Sequence, residues 1–270
     1  MSLGRFLAWL DRLLAPGAQP GSSGFVAPTP VPLAPSVLAA VTPMPEPWRS
    51  GCFFSVDDAG QFLLVSGARL TLGHVRSGLA DLLFLADVGP LHAELVREDS
   101  LHAGPGWCLR ALRGERAEVE GEPIPPEGRR LVSGQRVRLA GNLAFRFECP
   151  DPSSESACLA LEAGLECCGA RKVLLLGEGE GGRLRLGPAR ERHVRVTSLE
   201  YEVVIEKRGE RLWVRSSREG VAEETQVVHF PPPRRVDLAL GAPRGSRPPF
   251  GFSFEPLVRP PLARERDPGG

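Results

Sequence analysis

The sequence predicts an all-β protein: two tandem antiparallel β-sandwiches, preceded by a short amphipathic helix on a Pro-rich linker. From Cys52 onward the apolar residues come in short runs with period-two alternation. Clusters of Gly, Pro, Asp and Ser separate these runs, which is the punctuation of a sandwich rather than the strand–helix alternation of a parallel sheet. The runs also fall into two sets that end alike, Leu143-Ala144-Phe145-Arg146-Phe147-Glu148 and Phe250-Gly251-Phe252-Ser253-Phe254-Glu255, which points to duplication.

Residues 1–14 form the helical segment. Leu3, Phe6, Leu7, Leu10, Leu13 and Leu14 recur at helical spacing, Trp9 widens the apolar arc, and Arg5, Asp11 and Arg12 lie opposite. Ser2 caps the start, and Pro16-Gly17 stops it. A lone helix of this length is marginal in water, so its apolar face needs a surface to cover it. A groove on a partner protein is the preferred surface, with Phe6, Trp9, Leu10 and Leu13 as anchors; the alternative is a return of the helix onto its own sandwich. Residues 15–47 are the linker. Nine of the 27 prolines fall between Pro16 and Pro47, in a stretch almost without charge, and such a segment cannot repay its ordering entropy.

The first sandwich is expected over 48–150, with strand candidates at Phe62–Val65, Arg69–Leu72, Leu82–Leu85, His92–Arg97, Arg136–Leu139 and Leu143–Glu148. The second is expected over 151–257, with candidates at Lys172–Leu176, Arg183–Leu186, His193–Val196, Tyr201–Glu206, Arg211–Arg215, Gln226–Phe230, Val236–Leu240 and Phe250–Glu255. Trp107 and Trp213 fall in similar mid-domain strands, and residues 258–270 read as a disordered tail. The glycine-rich run Gly177–Gly182 lacks the Gly-Lys-Ser/Thr ending of a phosphate loop and carries glutamates, so it reads as a hairpin turn.

Composition narrows the function. Lys+Arg and Asp+Glu balance at 33 each, which speaks against a nucleic-acid coat and disfavours association with anionic membranes. The halves differ: residues 51–170 carry a net −6 and residues 171–270 a net +5. All but two of the basic residues are arginine, so pairs such as Arg129-Arg130 or Arg234-Arg235 read as solvated surface. No apolar run is long enough to span a membrane, and Asp11 and Arg12 interrupt any export signal, so a cytoplasmic, reducing setting is expected. The six cysteines form no C-x-x-C pair and no zinc spacing, so no metal and no cofactor are expected. His92 with Cys108 reads as packed core rather than a thiol–imidazole pair, and neither G-x-S-x-G nor H-E-x-x-H occurs. These readings exclude catalysis and leave protein recognition.

A further set of motifs carries a resemblance. Arg69-Leu70-Thr71-Leu72-Gly73, Asp81-Leu82-Leu83-Phe84-Leu85, Val88-Gly89-Pro90-Leu91-His92-Ala93, Gly106-Trp107-Cys108-Leu109, Val119-Glu120-Gly121-Glu122-Pro123-Ile124 and Leu131 to Leu139 follow one another in the order of the forkhead-associated (FHA) family. Residues 60–149 therefore resemble an FHA domain. The second half resembles it more faintly, with Leu174-Leu175-Leu176-Gly177-Glu178 in the place of the strand-plus-glycine entry and Tyr201 near the histidine position.

The resemblance implies a phosphothreonine-binding loop end. Carried over position by position, the family's loop arginine corresponds to His74, its phosphate-binding serine to Gly89, the next arginine to Pro90 and its turn asparagine to Glu115. Only the structural histidine, His92, is kept. Gly89 has no hydroxyl, Pro90 has neither charge nor N–H, and Glu115 repels a dianion that needs charge-assisted donors. The resemblance thus marks His74, Arg76, Ser77, Gly89, Pro90, Leu91, Glu115 and Arg116 as a degenerate phosphopeptide face. The expected function is a non-catalytic adaptor; the second reading is a phosphothreonine reader in a Ser/Thr kinase pathway, using Arg76 or Arg116.

Overall fold

A computed structural model describes residues 47–258, apart from 101–103, 113, 163, 178–180, 219–220 and 241–249. The expected helix at 1–14 with its anchors Phe6, Trp9, Leu10 and Leu13, the linker up to residue 46 and the tail beyond 258 lie outside the described residues. In chain order the strands of the first half are β1 (Pro47–Val56), β2 (Gly60–Ser66), β3 (Arg69–His74), β4 (Leu82–Phe84), β5 (Ala93–Ser100), β6 (Gly104–Ala111), β7 (Ala117–Val119), β8 (Glu122–Pro123), β9 (Arg129–Arg130), β10 (Arg136–Leu139) and β11 (Leu143–Glu148). Those of the second are β12 (Ala157–Leu161), β13 (Lys172–Leu176), β14 (Arg183–Gly187), β15 (Val194–Arg195), β16 (Glu202–Arg208), β17 (Arg211–Arg218), β18 (Val221–His229), β19 (Val236–Leu240) and β20 (Phe250–Val258). The described residues are all-β, and every strand expected from the sequence is present.

The strands form three sheets. A ten-stranded sheet runs β19-β20-β1-β2-β13-β12-β11-β10-β7-β8, and two five-stranded sheets run β4-β3-β5-β6-β9 and β15-β14-β16-β17-β18. Along the middle of the large sheet successive residues belong to different cores. Leu63 and Val65 of β2, with Val173 and Leu175 of β13, join the first core around Leu72, Leu95, Trp107, Leu109, Phe145 and Phe147. Phe62 and Leu64, with Leu174 and Leu176, join the second core around Leu186, Val203, Ile205, Val214, Phe252 and Phe254. The two small sheets therefore cover opposite faces of one shared sheet. Strands buried on both faces read as continuous apolar runs rather than alternating ones, which explains Phe62-Leu63-Leu64-Val65 and Val173-Leu174-Leu175-Leu176.

The expected separation into sandwiches at 48–150 and 151–257 is corrected by this sheet. The boundary falls between β11 and β12, which pair with each other from Phe145↔Leu161 to Glu148↔Cys158. The opening hairpin of each half, β1–β2 or β12–β13, lies beside the closing hairpin of the other half, because β1 pairs with β20 and β12 with β11. The two opening hairpins meet along β2 and β13, parallel, from Leu63↔Val173 to Ser66↔Leu176. The described residues accordingly belong to one compact unit.

The two small sheets repeat one strand arrangement. Arg69-Leu70-Thr71-Leu72-Gly73 and Arg183-Leu184-Arg185-Leu186-Gly187 occupy matching strands, each parallel to a short strand (Leu72↔Leu82, Leu186↔Val194) and antiparallel to the next long one (Leu72↔Ala93, Leu186↔Val203). This corrects the expected placement of the second motif at Leu174–Glu178: β13 is a central strand of the large sheet, and the true counterpart of Gly73 is Gly187, followed by Pro188. The two tryptophans are also not equivalent. Trp107 points into the first core and donates its Nε1–H to the Glu155 carbonyl at 2.9 Å, whereas Trp213 lies on the outer face of its sheet beneath the Arg208 guanidinium.

Candidate functional site

Each small sheet begins with a brace on its R-L-x-L-G strand. In the first half, Asp81 Oδ2 accepts the Thr71 N–H and the Thr71 hydroxyl, both at 2.8 Å, and the Asp81 N–H donates back to Thr71 Oγ1 at 3.0 Å. In the second half, the residue at the equivalent place is His193: Nδ1 accepts the Arg185 N–H at 3.1 Å, and Nε2–H donates to the Ser156 carbonyl at 3.0 Å. His193 is fully buried, and burial pushes its pKa down to about 4, so the ring stays neutral.

The brace positions the loop end of the first half. Gly73 closes β3 where the 89–91 loop crosses it; a Cβ there would run into the Pro90 carbonyl. The His74 N–H donates to the Gly89 carbonyl at 3.0 Å, and the His92 N–H to the Leu72 carbonyl at 2.8 Å. Ser77 Oγ lies 2.8 Å from the His74 carbonyl and 3.0 Å from the Pro90 carbonyl, so its hydroxyl is spent on tying the two loops together. His74 Nδ1 accepts the Arg76 N–H at 3.0 Å, turning its lone pair inward. Arg76, Pro90 and Arg116 are exposed, while Leu91 packs against the first core.

His92 is buried, and both its ring nitrogens are engaged by backbone. Nδ1 accepts the Gly89 N–H at 3.1 Å, so Nε2 carries the proton, which it donates to the Arg116 carbonyl at 2.9 Å. No nitrogen remains to activate Cys108, whose thiol is pushed up by burial. Glu115 closes the arrangement. Its Oε2 comes to 3.2 Å from His92 Nδ1, already the acceptor for Gly89, so the contact is not an ion pair in this tautomer. The same carboxylate stands over Gly89 closely enough that a Cβ at 89 would collide with it.

All eight residues marked by the resemblance, His74, Arg76, Ser77, Gly89, Pro90, Leu91, Glu115 and Arg116, thus gather at one end of the first core. What they build is a carboxylate over a glycine whose N–H is held by His92 Nδ1. Among the described residues no three His, Cys, Asp or Glu side chains converge as metal ligands. Among the described residues, too, no helix is long and apolar enough to cross a membrane.

Sequence reasoning missed a second charged constellation. Glu206 of β16 is fully buried on the outer face of its sheet, between Arg183, Arg208 and Arg215. Burial pushes its carboxyl up, but the hydrogen bond from Arg208 and the charges of Arg215 and Arg208 outweigh it, and the net shift is downward. Only the doubled R-L-x-L-G motif, which sets the register of β14 against β16, signalled this grouping in the sequence.

No family model matches this sequence, and no curated protein matches it. Among solved structures, the Slr1951 protein from Synechocystis sp. aligns with 37% of this chain and 96% of its own length, at 19% identity and a TM-score of 0.28. A likeness at that score carries no inference.

Proposed function

We propose that the protein is a non-catalytic adaptor whose FHA-like loop end has lost phosphothreonine chemistry and whose N-terminal segment docks in a groove on a partner protein. The observation that carries this reading is the Glu115 carboxylate over Gly89. A phosphothreonine brings nearly two negative charges, and this end meets it with the Glu115 carboxylate, a hydroxyl tied between loops at Ser77 and a proline without an N–H. A loop end that rejects phosphate still offers a shaped protein surface, with Arg76, Pro90 and Arg116 exposed around it. Phe6, Trp9, Leu10 and Leu13 remain the proposed anchors in the partner groove.

The exposure of Arg76 and Arg116 at the same end favours the second reading, a phosphothreonine reader that has recruited new arginines. Titrating a labelled phosphothreonine peptide library into the full chain separates the two. The adaptor predicts no saturable binding; micromolar binding abolished by Arg76→Ala establishes the reader. For the helical segment, partners are captured with the full chain and with a chain lacking residues 1–15. Selective loss of partners from the shortened chain is expected, and equal recovery removes the helix from the mechanism.

A further inference from the structure

Each face of the large sheet is covered over only part of its width, and the two open stretches differ. Outside β10–β13 the charges pair: Arg136 with Glu162, Arg138 with Glu118 and Lys172 with Glu148. The other open stretch is the side of β1, β20 and β19 turned away from the second core. Phe54, Phe252 and Phe254 enter that core, so the alternate positions Ser55, Ser253, Glu255 and Asp237 take the open side. A depression of about 400 Å³ lies there, lined by these four residues together with Asp57 and Arg235. Gly251 keeps its floor low, since a Cβ at that position would come to 2.9 Å from Asp57 Oδ2.

The depression has two acidic ends. At one, Asp57 Oδ2 accepts the Gly251 N–H at 2.8 Å, and no cation pairs with the carboxylate among the described residues. At the other, Arg235 donates from Nε to Asp237 at 2.8 Å and from a terminal nitrogen to Glu255 at 2.7 Å, so one guanidinium serves two carboxylates. Each end therefore keeps one negative charge. Arg234 and Asp58 are exposed next to them in sequence, lie outside the lining and offset each other. Between the ends stands Ser253. It is only 7% exposed, yet it lines the depression, and its hydroxyl has no hydrogen-bond partner among the described residues. Its cross-strand neighbour Ser55 presents a second hydroxyl on the same side.

We infer that this depression binds a linear aliphatic polyamine, with a terminal ammonium at each acidic end and a middle amine at the Ser55 and Ser253 hydroxyls. Gly251, bonded to Asp57, and Glu255 lie four residues apart on β20, about 13 Å at the rise of a strand. A compact cation reaches one end only, and among the described residues no three His, Cys, Asp or Glu side chains converge on a metal. An ammonium group brings donors and no acceptor, which suits carboxylates and serine oxygens. A basic peptide fits less well. Its main chain would lie over β20, whose own backbone is already bonded to β1 on one side and β19 on the other. The inference goes beyond the adaptor reading and does not rest on it.

The test is calorimetric titration of the full chain with three probes. Spermidine has three amines; 1,8-diaminooctane has the same length without the middle one; 1,4-diaminobutane keeps two charges on a shorter chain. Spermidine is expected to bind saturably at one site and to weaken as salt rises, and 1,4-diaminobutane is expected to bind less tightly than 1,8-diaminooctane. Asp57→Asn keeps an acceptor for the Gly251 N–H and removes the charge; it is expected to weaken both long probes by about fivefold, the size of one exposed ion pair. Ser253→Ala is expected to weaken spermidine and leave 1,8-diaminooctane unchanged, and Glu118→Gln on the paired stretch to change nothing. Absence of saturable spermidine binding overturns the inference, as does binding that Asp57→Asn leaves unchanged in a chain that still melts cooperatively. Equal affinity for the short and long diamines overturns it as well, because the ends are then not bridged. Saturable binding of octalysine without binding of spermidine, lost in Asp57→Asn, assigns the depression to a basic protein segment instead.

Discussion

The two R-L-x-L-G strands solve one problem with different chemistry. At Thr71 an aspartate accepts the backbone N–H; at Arg185 a histidine does. Asp81 is half-buried and adds a side-chain bond to Thr71 Oγ1, whereas His193 is fully enclosed and spends its other nitrogen on the Ser156 carbonyl, in the segment just before β12. The first brace is local to its own loop end. The second ties its sheet to the segment that enters the shared sheet. The difference teaches that two matching strands meet one backbone requirement with side chains suited to different burial.

The largest effect is expected where the halves are not separable. Leu174 lies fully buried in β13 against the second core while its neighbours Val173 and Leu175 fill the first. Leu174→Ala is expected to cost about 2–5 kcal/mol in urea denaturation. Both halves are expected to unfold in a single transition, and two resolved transitions would show that the shared sheet does not couple them.

The next effect separates the braces by pH. The folded pKa of His193, about 4, lies below the ordinary 6.5. The unfolded chain therefore takes up the proton first as pH falls. The stability linked to the neutral ring is complete above pH 6.5 and is lost between pH 6.5 and 4, by about 3 kcal/mol in all. Denaturation at several pH values should show that slope in the native chain and its loss in His193→Gln. A smaller effect follows from Asp81→Ala, which strands the Thr71 N–H and hydroxyl and is expected to cost about 1–3 kcal/mol, read as a shift in the urea midpoint. The smallest is Arg138→Gln on the paired outer face. Its exposed bridge to Glu118 is worth at most about 1 kcal/mol, so the melting temperature should barely move.

Some of this was legible in the sequence because it depends on local pattern. Phe145 and Phe147 face in around an exposed Arg146, as their alternation requires; Phe252 and Phe254 are buried too, but around a Ser253 that is itself buried. The strand β12 was not legible. Ala157-Cys158-Leu159 is short, built of small residues and buried on both faces, so it shows no period. The exchange of opening hairpins was not legible either, since pairing of β1 with β20 joins residues two hundred positions apart and leaves no local mark. At the loop end, the resemblance marked Gly89, Pro90 and Glu115 as positions without side-chain donors for phosphate. It did not show that the Glu115 carboxylate would stand directly over Gly89, because that depends on the crossing of two distant loops. Glu206 looked like an ordinary outward strand position until Arg183, Arg208 and Arg215 converged on it.

The amide of Gly89 reports most directly on whether the loop end still takes a dianion. Its N–H is held by His92 Nδ1 beneath Glu115, and a bound phosphate group would displace that carboxylate. Following this amide by NMR while phosphothreonine peptide is added to the full chain is expected to give no saturable shift in the native protein. A saturating shift at Gly89, accompanied by shifts at His74 and Glu115, would contradict the account.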